Sequence, residues 1–192
     1  MPFPAKTDPE SILNAALVML EQDGPEALSM RNLATALAMK APSLYRHYPD
    51  KAALETALKM RGLEMLQAAL EKASSDPEPS KAMRKAANAS LKFARSHPYL
   101  YDLMNAPDGA PSTGAAKDLW NTILGLVGRV TLKPDDTASS VAFWAFLHGF
   151  CSLERTGMFG ASGAKGGFEV GLEALIVGFS SHKAKEHANA VR

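Results

Sequence analysis

Small polar, aromatic and cationic side chains cluster between Ser29 and Lys51, and their types suit binding to DNA phosphates and base edges. The segment is predicted to form two short helices joined by a tight turn, the second too short and too polar to serve mainly as core. A helix that reads the major groove needs little bulk near its start and cations alongside it. The segment is therefore interpreted as a helix-turn-helix. Its candidate DNA contacts are Ser29, Arg31, Lys40, Ala41, Pro42, Ser43, Tyr45, Arg46, His47 and Lys51.

Positive charge is concentrated in the same segment, although the whole chain is nearly neutral. The formal net charge of the 192 residues is +1, so composition alone does not indicate a nucleic-acid partner. Residues 29–51 carry four cations against one carboxylate, a net +3, whereas residues 1–28 carry one cation against five carboxylates, a net −4. This contrast favours a local DNA-binding surface. A solvated helix face with an excess of cations is the alternative interpretation.

Helical periodicity extends along nearly the whole chain, and strand patterns are almost absent. Hydrophobic residues make up 46% and charged residues 21%, which excludes a disordered chain and predicts an all-α fold of about nine helices. Asp8 and Ser29 are expected to cap the first two helices, and Gly24 to end the first. The buried stripe of the first helix is predicted to be Ile12, Ala15, Ala16, Val18, Met19 and Leu20. The third to ninth helices are predicted at about 41–48, 51–72, 81–96, 98–105, 113–131, 135–157 and 168–180.

The sequence predicts a protein of the reducing cytoplasm. Cys151 is the only cysteine, so no disulfide can form within the chain. The first ten residues lack the apolar run of a signal peptide. The most apolar helix is too short to span a bilayer, and His148 and Gly149 interrupt it.

The residues from Ile12 to about Leu58 resemble the DNA-binding domain of the TetR family of bacterial transcriptional regulators. The matching features are the Gly that ends the first helix, the L-S/T-x-R-x-L-A second helix, the S/T-L-Y-x-H-F/Y reading helix and the lysine that follows it. Ala38 departs from the pattern, because the family usually has Gly in this turn. An alanine there requires either a less left-handed backbone or some strain.

The resemblance implies a role for each matching position, and Leu44 corresponds to core. Tyr45, His47 and Lys51 correspond to phosphate contacts. Packing for Tyr45, capping or packing for His47 and a plain surface lysine for Lys51 are the alternatives. The positions that correspond to contacts with bases or groove walls are Ser29, Arg31, Ala41, Pro42, Ser43 and Arg46.

Two helices in the C-terminal half, at about 135–157 and 168–180, are apolar on nearly all sides and need partners on more than one side. One helix-turn-helix reads only a few base pairs, so two copies are expected to bind a palindromic operator. A four-helix interface built from these two helices would join them as a homodimer.

The C-terminal half also resembles the body of TetR relatives that carry a Trp-His-Gly signature, which Trp144, His148 and Gly149 match. The resemblance implies a DNA-binding domain at 1–51, a helical effector-binding and dimerisation domain at 52–180, and a flexible tail at 181–192. It also implies a mainly apolar ligand pocket between the fourth helix and the bundle, although a stripe of Met and aromatic residues is more often plain core. The candidate lining residues are Met60, Met65, Phe93, Tyr101, Met104, Trp120, Trp144 and His148.

No catalytic constellation can be assembled from the sequence. His148 and Cys151 lie three residues apart, but no third group is spaced to orient the histidine, and a buried cysteine normally behaves as a small hydrophobe. His182 and His187 lack the further ligands that a metal requires. The sequence thus predicts neither an enzyme nor a cofactor, but a dimeric TetR-like regulator that acts as a repressor and is released from its palindromic operator by a small, mainly apolar effector. The alternative is a helical ligand-binding or protein-interaction module without active operator binding.

Overall fold

The computed structural model describes residues 8–106 and 114–190, with side chains described as far as Ser181. Over those residues the chain forms nine helices and no strand, which confirms the all-α prediction. None of these described helices combines the length and the apolar character needed to cross a membrane. The helices are α1 (Pro9–Asp23), α2 (Met30–Ala36), α3 (Ala41–Tyr45), α4 (Lys51–Ser74), α5 (Pro79–Ser96), α6 (Pro98–Asn105), α7 (Gly114–Thr131), α8 (Thr137–Arg155) and α9 (Gly167–Ala190).

Side-chain caps fix the starts of the helices around the predicted reading element. Asp8 and Ser29 each accept the backbone N–H three residues further on, at 2.9 and 3.1 Å. Asp50 does the same at the start of α4, at 2.8 Å. Each cap satisfies a backbone donor that the helix itself leaves free. Gly24 ends α1 with a φ of +81°, as its residue type predicts.

Two helix ends differ from the predicted ones by more than two residues. α3 stops at Tyr45 and not at residue 48. After Tyr45 the His47 backbone N–H donates to the Leu44 carbonyl, three residues back, at 3.0 Å, so the helix tightens into a turn before Pro49. α9 continues to Ala190, beyond the predicted end at residue 180. Side chains after Ser181 lie outside the described part, so the flexible tail at 181–192 stays a prediction.

The chain divides into two compact units of packing. The first comprises residues 1–64 and 97–111, and holds α1, α2, α3, the start of α4 and α6. The second comprises residues 65–96 and 112–192, and holds the rest of α4 with α5, α7, α8 and α9. The domain boundary after residue 51 therefore stays a prediction, since packing groups the start of α4 with the N-terminal helices.

The first unit is built around leucines and isoleucine from every one of its helices. Val18, predicted in the buried stripe of α1, is instead 45% exposed. It lies two residues after the fully buried Ala16, about 200° around the helix axis, and so faces the opposite side. The side chains with no exposed surface include Ile12, Leu33, Leu44, Leu54, Leu58 and Leu100.

Polar contacts fasten α1 to its neighbours in this unit. The Glu21 carboxylate accepts the backbone N–H groups of Tyr99 and Leu100 at 3.4 and 2.8 Å, which satisfies free donors at the start of α6. Arg61 of α4 donates to Glu10 at 2.6 Å, and this hydrogen bond lowers the pKa of the Glu10 carboxyl. These hydrogen bonds therefore join α1 to α4 and to α6 within the first unit.

In the second unit, α5 is tied to two neighbouring helices by arginine–carboxylate forks. Arg84 donates to Glu173 of α9 at 2.5 and 2.9 Å. Arg95 donates to Glu154 of α8 at 2.7 Å through both nitrogens, and this contact lowers the pKa of Glu154. Phe143 on α8 is 1% exposed and lies in the core of the unit.

The turn between α2 and α3 is strained at Ala38. Its φ is +52°, in the left-handed region where an L-residue with a Cβ is unfavourable. The turn is held by hydrogen bonds from the Ala38 and Met39 backbone N–H groups to the carbonyls of Thr35 and Ala34, at 3.1 and 2.9 Å. Of the two possibilities that the sequence left open for this alanine, the structure shows strain and not a less left-handed backbone.

We expect Ala38→Gly to raise the free energy of unfolding by about 1 kcal/mol, because the left-handed backbone costs a residue with a Cβ roughly 1–2 kcal/mol. The greater freedom of glycine in the unfolded chain offsets part of that gain. Urea denaturation of the two proteins measures the difference. The matched control is Ala68→Gly, at an exposed right-handed position inside α4, which is expected to lose about 1 kcal/mol. A loss of stability in both variants would contradict the strain at Ala38.

Candidate nucleic-acid interface

The rotation of α3 is fixed by one leucine. Leu44 has no exposed surface, and it points into the first unit. At the end of the helical segment the Tyr48 hydroxyl donates to the Pro9 carbonyl at 3.1 Å, and burial raises the pKa of this phenol above its ordinary value, with the charge of Glu10 adding to the effect. Pro42 and Arg46 lie two residues either side of Leu44, so each projects about 160° away from it. The side of α3 that faces outward is therefore the side that carries Pro42 and Arg46.

The outward side combines low bulk at its start with a cation at its end. Ala41 and Pro42 are exposed and small, and Tyr45 is 48% exposed. Arg46 is exposed, and its Nη2 donates to the Ser43 hydroxyl oxygen at 3.2 Å. The hydrogen bond joins two candidate DNA contacts one turn apart. These features suit a helix that must approach base edges closely.

The flanks of α3 carry three further candidates. Lys40 precedes the helix and is exposed, whereas His47 follows it and is half-buried. Lys51 begins α4 with 46% of its side chain exposed, and its ammonium lies 3.5 Å from a Glu55 carboxylate oxygen. An ion pair at that exposure is weak and leaves the ammonium free to exchange partners.

The start of α2 presents the remaining two candidates. Ser29 uses its hydroxyl oxygen to cap α2, which leaves its hydroxyl proton free to donate elsewhere. Arg31 is exposed. It borders an open surface groove of about 580 Å³, whose other lining residues are Met19, Asp23, Ala27, Asn32, Thr35 and Ala36.

Sequence reasoning missed Asn32 and Thr35, which are exposed polar residues on α2 beside Arg31. Asn32 donates through Nδ2 to the Ala27 carbonyl at 2.8 Å, and Thr35 donates to the Arg31 carbonyl at 3.0 Å. The available signal was the position of Thr35 four residues after Arg31, since residues at that spacing share a helix surface; Asn32, one residue after Arg31, has no such spacing. All ten predicted DNA contacts lie in the first unit, and the structure shows a hydrogen bond between the side chains of Ser43 and Arg46.

The residues predicted to line a ligand pocket are divided between the units. Met60, Tyr101 and Met104 belong to the first, where Met60 is 41% exposed and Tyr101 is buried. Met104 packs on Gly62, where an added Cβ would lie 2.4 Å from its sulfur. The residues in the second unit are Met65, Phe93, Trp120, Trp144 and His148.

Within the second unit these five residues occupy different environments. Phe93 is buried, whereas Met65 and Trp120 are half-buried. Trp144 is 45% exposed and stacks on the His148 ring with centroids 5.9 Å apart. The pocket itself stays a prediction. The histidines at 182 and 187 lie outside the residues whose side chains are described.

Two helices of the second unit leave apolar side chains uncovered. Val141 and Trp144 on α8 are 46% and 45% exposed, and Val170 and Val177 on α9 are 72% and 62% exposed. The spacing of three or seven residues within each pair places each pair on one helix face. We call these four residues the α8–α9 face. The two helices approach closely, since a Cβ added at Gly171 would lie 2.5 Å from the Phe146 ring.

Comparison with known proteins identifies two regions of family similarity. Residues 12–58 match the family described as bacterial regulatory proteins, tetR family. Residues 83–175 match the family described as Tetracyclin repressor-like, C-terminal domain. An uncharacterized HTH-type transcriptional regulator of Mycobacterium tuberculosis is 29% identical over 160 residues, covering 81% of this chain and 73% of that protein.

Solved structures show the same architecture. A protein of unknown function from Rhodococcus sp. RHA1 superposes with a TM-score of 0.79 at 25% identity, over 93% of this chain and 98% of that one. A TetR variant from Acinetobacter baumannii AYE in complex with minocycline superposes with a TM-score of 0.71 at 22% identity, over 93% and 99%. At that identity the second likeness is one of fold alone.

Proposed function

The chain belongs to the TetR family of DNA-binding transcriptional regulators, and from that premise we propose that it is a cytoplasmic repressor that binds a palindromic operator as a homodimer. The observation that carries the proposal is the orientation of α3 on the first unit. Leu44 is fully buried, so Pro42 and Arg46 face outward on a helix whose start carries little bulk. Such a helix fits the major groove, where bases are distinguished by their donors and acceptors.

We propose that the α8–α9 face joins the two copies. Val141, Trp144, Val170 and Val177 expose apolar surface that a second copy would bury, because the same patch on each copy forms a two-fold interface. Two reading helices would then meet half-sites about 34–36 Å apart, or a multiple of that distance. The apolar surface supports a permanent dimer more than a transient contact.

We propose further that a small, mainly apolar effector releases the dimer from DNA. The A. baumannii TetR variant, which has the same fold, was solved in complex with minocycline, and this supports a small-molecule effector for the chain. Candidate lining residues within the second unit are Met65, Phe93 and Trp120. The effector would weaken DNA binding only to the extent that it binds the released conformation more tightly.

Selection of duplexes from a random pool by the full-length protein tests DNA binding directly. We expect one enriched sequence with two inverted half-sites, whose affinity falls with salt because bound phosphates release counterions. Titration against a scrambled duplex measures the preference. Absence of any preferred sequence would overturn the proposal and favour a ligand-binding module without operator binding.

We expect Lys51→Ala to weaken binding to all DNA sequences about equally. If Lys51 contacts one phosphate, the slope of log affinity against log salt should fall by about 1. Titration of operator and scrambled duplexes at several salt concentrations measures both quantities. Lys72→Ala, at an exposed lysine of α4 in the second unit, is the control and should leave the slope unchanged. A changed sequence preference in Lys51→Ala would instead indicate a base contact.

A further inference from the structure

We infer that Arg46 recognises a guanine in each half-site, and that Ser43 is the positioning residue that holds Arg46 for it. The inference rests on the proposed function, because it names the base that the proposed reading helix selects. It adds a prediction about operator sequence that comes from this chain's own side chains.

The outward direction of Arg46 follows from the orientation of α3. With Leu44 fully buried, Arg46 lies about 160° around the helix axis from the anchored side. Ala41 and Pro42, which precede it on α3, are small and exposed. A short helix with this outline can approach the floor of the groove, where an arginine one turn further on reaches base edges as well as phosphates.

The chemistry of the guanidinium favours guanine over the other bases. Guanine presents two acceptors, N7 and O6, to the major groove, and a guanidinium can donate to both. Adenine offers N7 beside a donor, and cytosine offers a donor, so neither pairs with two N–H groups. The hydrogen bond to Ser43 uses one of the five guanidinium N–H groups and leaves enough for a bidentate contact.

Ser43 restricts the arginine before DNA arrives. Its hydroxyl oxygen accepts from Arg46 Nη2 at 3.2 Å, and its own backbone N–H donates to the Lys40 carbonyl at 2.9 Å. The short, half-buried Ser43 side chain thus binds one end of the long, exposed Arg46 side chain. A free arginine would lose rotamer freedom on binding, and part of that loss has already occurred in the free protein.

The experiment begins with the operator that the full-length protein selects, and replaces each base pair in turn. We expect one guanine per half-site whose replacement lowers the affinity of the wild-type protein by roughly 5- to 150-fold, the range for a lost bidentate contact. Arg46→Ala should make the protein indifferent to that base pair. Arg155→Ala, at an exposed arginine at the end of α8, is the matched control and should keep the wild-type preference.

Modified bases keep the inference testable even if a variant fails to fold. In operator DNA bound by the wild-type protein, 7-deazaguanine removes the N7 acceptor and should lower affinity at that position. Inosine keeps N7 and O6 and should not. Ser43→Ala should reduce the preference for guanine to a value between those of the wild type and Arg46→Ala, and Ser43→Thr, which keeps the hydroxyl, should restore it.

Each contrary outcome is distinct. If Arg46→Ala lowered the affinity for all DNA sequences equally and reduced the dependence of affinity on salt, Arg46 would contact a phosphate, and the inference would be overturned. A Ser43→Ala protein with the wild-type preference would overturn the positioning role alone. A wild-type protein that selects an operator without this guanine would overturn the inference while leaving the proposed function intact, whereas failure to select any sequence would overturn both.

Discussion

A Val177→Asp variant is expected to sediment as a monomer at micromolar concentration and to lose operator affinity by about 100-fold or more, since linking two binding modules raises affinity by 10²–10⁴. Val177 is 62% exposed on α9 and belongs to the α8–α9 face that is proposed as the interface. A carboxylate there would be buried without a partner when two copies meet, which is strongly unfavourable. Analytical ultracentrifugation and operator titration measure the two effects.

Leu132→Asp provides the control for this variant. Leu132 is 61% exposed in the second unit, so the change removes a similar apolar area and adds the same charge outside the α8–α9 face. It follows α7 with a φ of +60°, a conformation that aspartate tolerates better than leucine. Leu132→Asp should therefore remain dimeric. A dimeric Val177→Asp protein would show that the copies meet through another surface.

The sequence was most informative where structure depends on neighbouring residues. Asp8, Ser29 and Asp50 begin helices because a short oxygen-bearing side chain satisfies a nearby backbone N–H, whatever the rest of the chain does. Gly24 ends α1 for an equally local reason. The helix count and the reading element were therefore predictable. The end of α3 was placed too late because Pro49 marks where a helix must have ended, but not the tighter turn that begins after Tyr45.

Contacts between distant parts of the chain were not predictable in the same way. The fork between Arg84 and Glu173 joins residues 89 positions apart, and no local pattern selects that pair. Val18 looks like core by residue type, but the packing around Ala16 turns it outward. An apolar residue at the edge of a helical stripe can face either way until its neighbours are placed.

In the candidate site, too, residue types were predictable from the sequence but side-chain contacts were not. The residue types of Ser43 and Arg46 were recognised as DNA contacts from the sequence, but their hydrogen bond was not. A rotamer of a long exposed side chain depends on atoms one turn away, and spacing alone does not specify it. The strain at Ala38 was foreseen as one of two possibilities. An alanine where a tight turn usually has glycine must either adopt a less left-handed backbone or be strained.

Leu44→Ala is expected to lower the free energy of unfolding by about 2–5 kcal/mol and to abolish operator binding at temperatures where the protein is still folded. The stability loss is the usual one for removing a fully buried leucine side chain. The loss of binding has a separate cause, since α3 is one short helix whose rotation depends on that leucine. Without it, Pro42 and Arg46 no longer have a fixed direction. Urea denaturation and operator titration measure the two effects.

Two further variants separate loss of stability from loss of the reading surface. Leu44→Met keeps the volume at the same site and should cost less than about 1.5 kcal/mol while retaining operator binding. Leu126→Ala removes the same atoms from a 3% exposed position in the second unit, so it should destabilise that unit without turning α3. If Leu44→Ala bound the operator as tightly as the wild type, Leu44 would not fix the rotation of α3. The outward direction of Arg46, on which its recognition of guanine depends, would then need another cause.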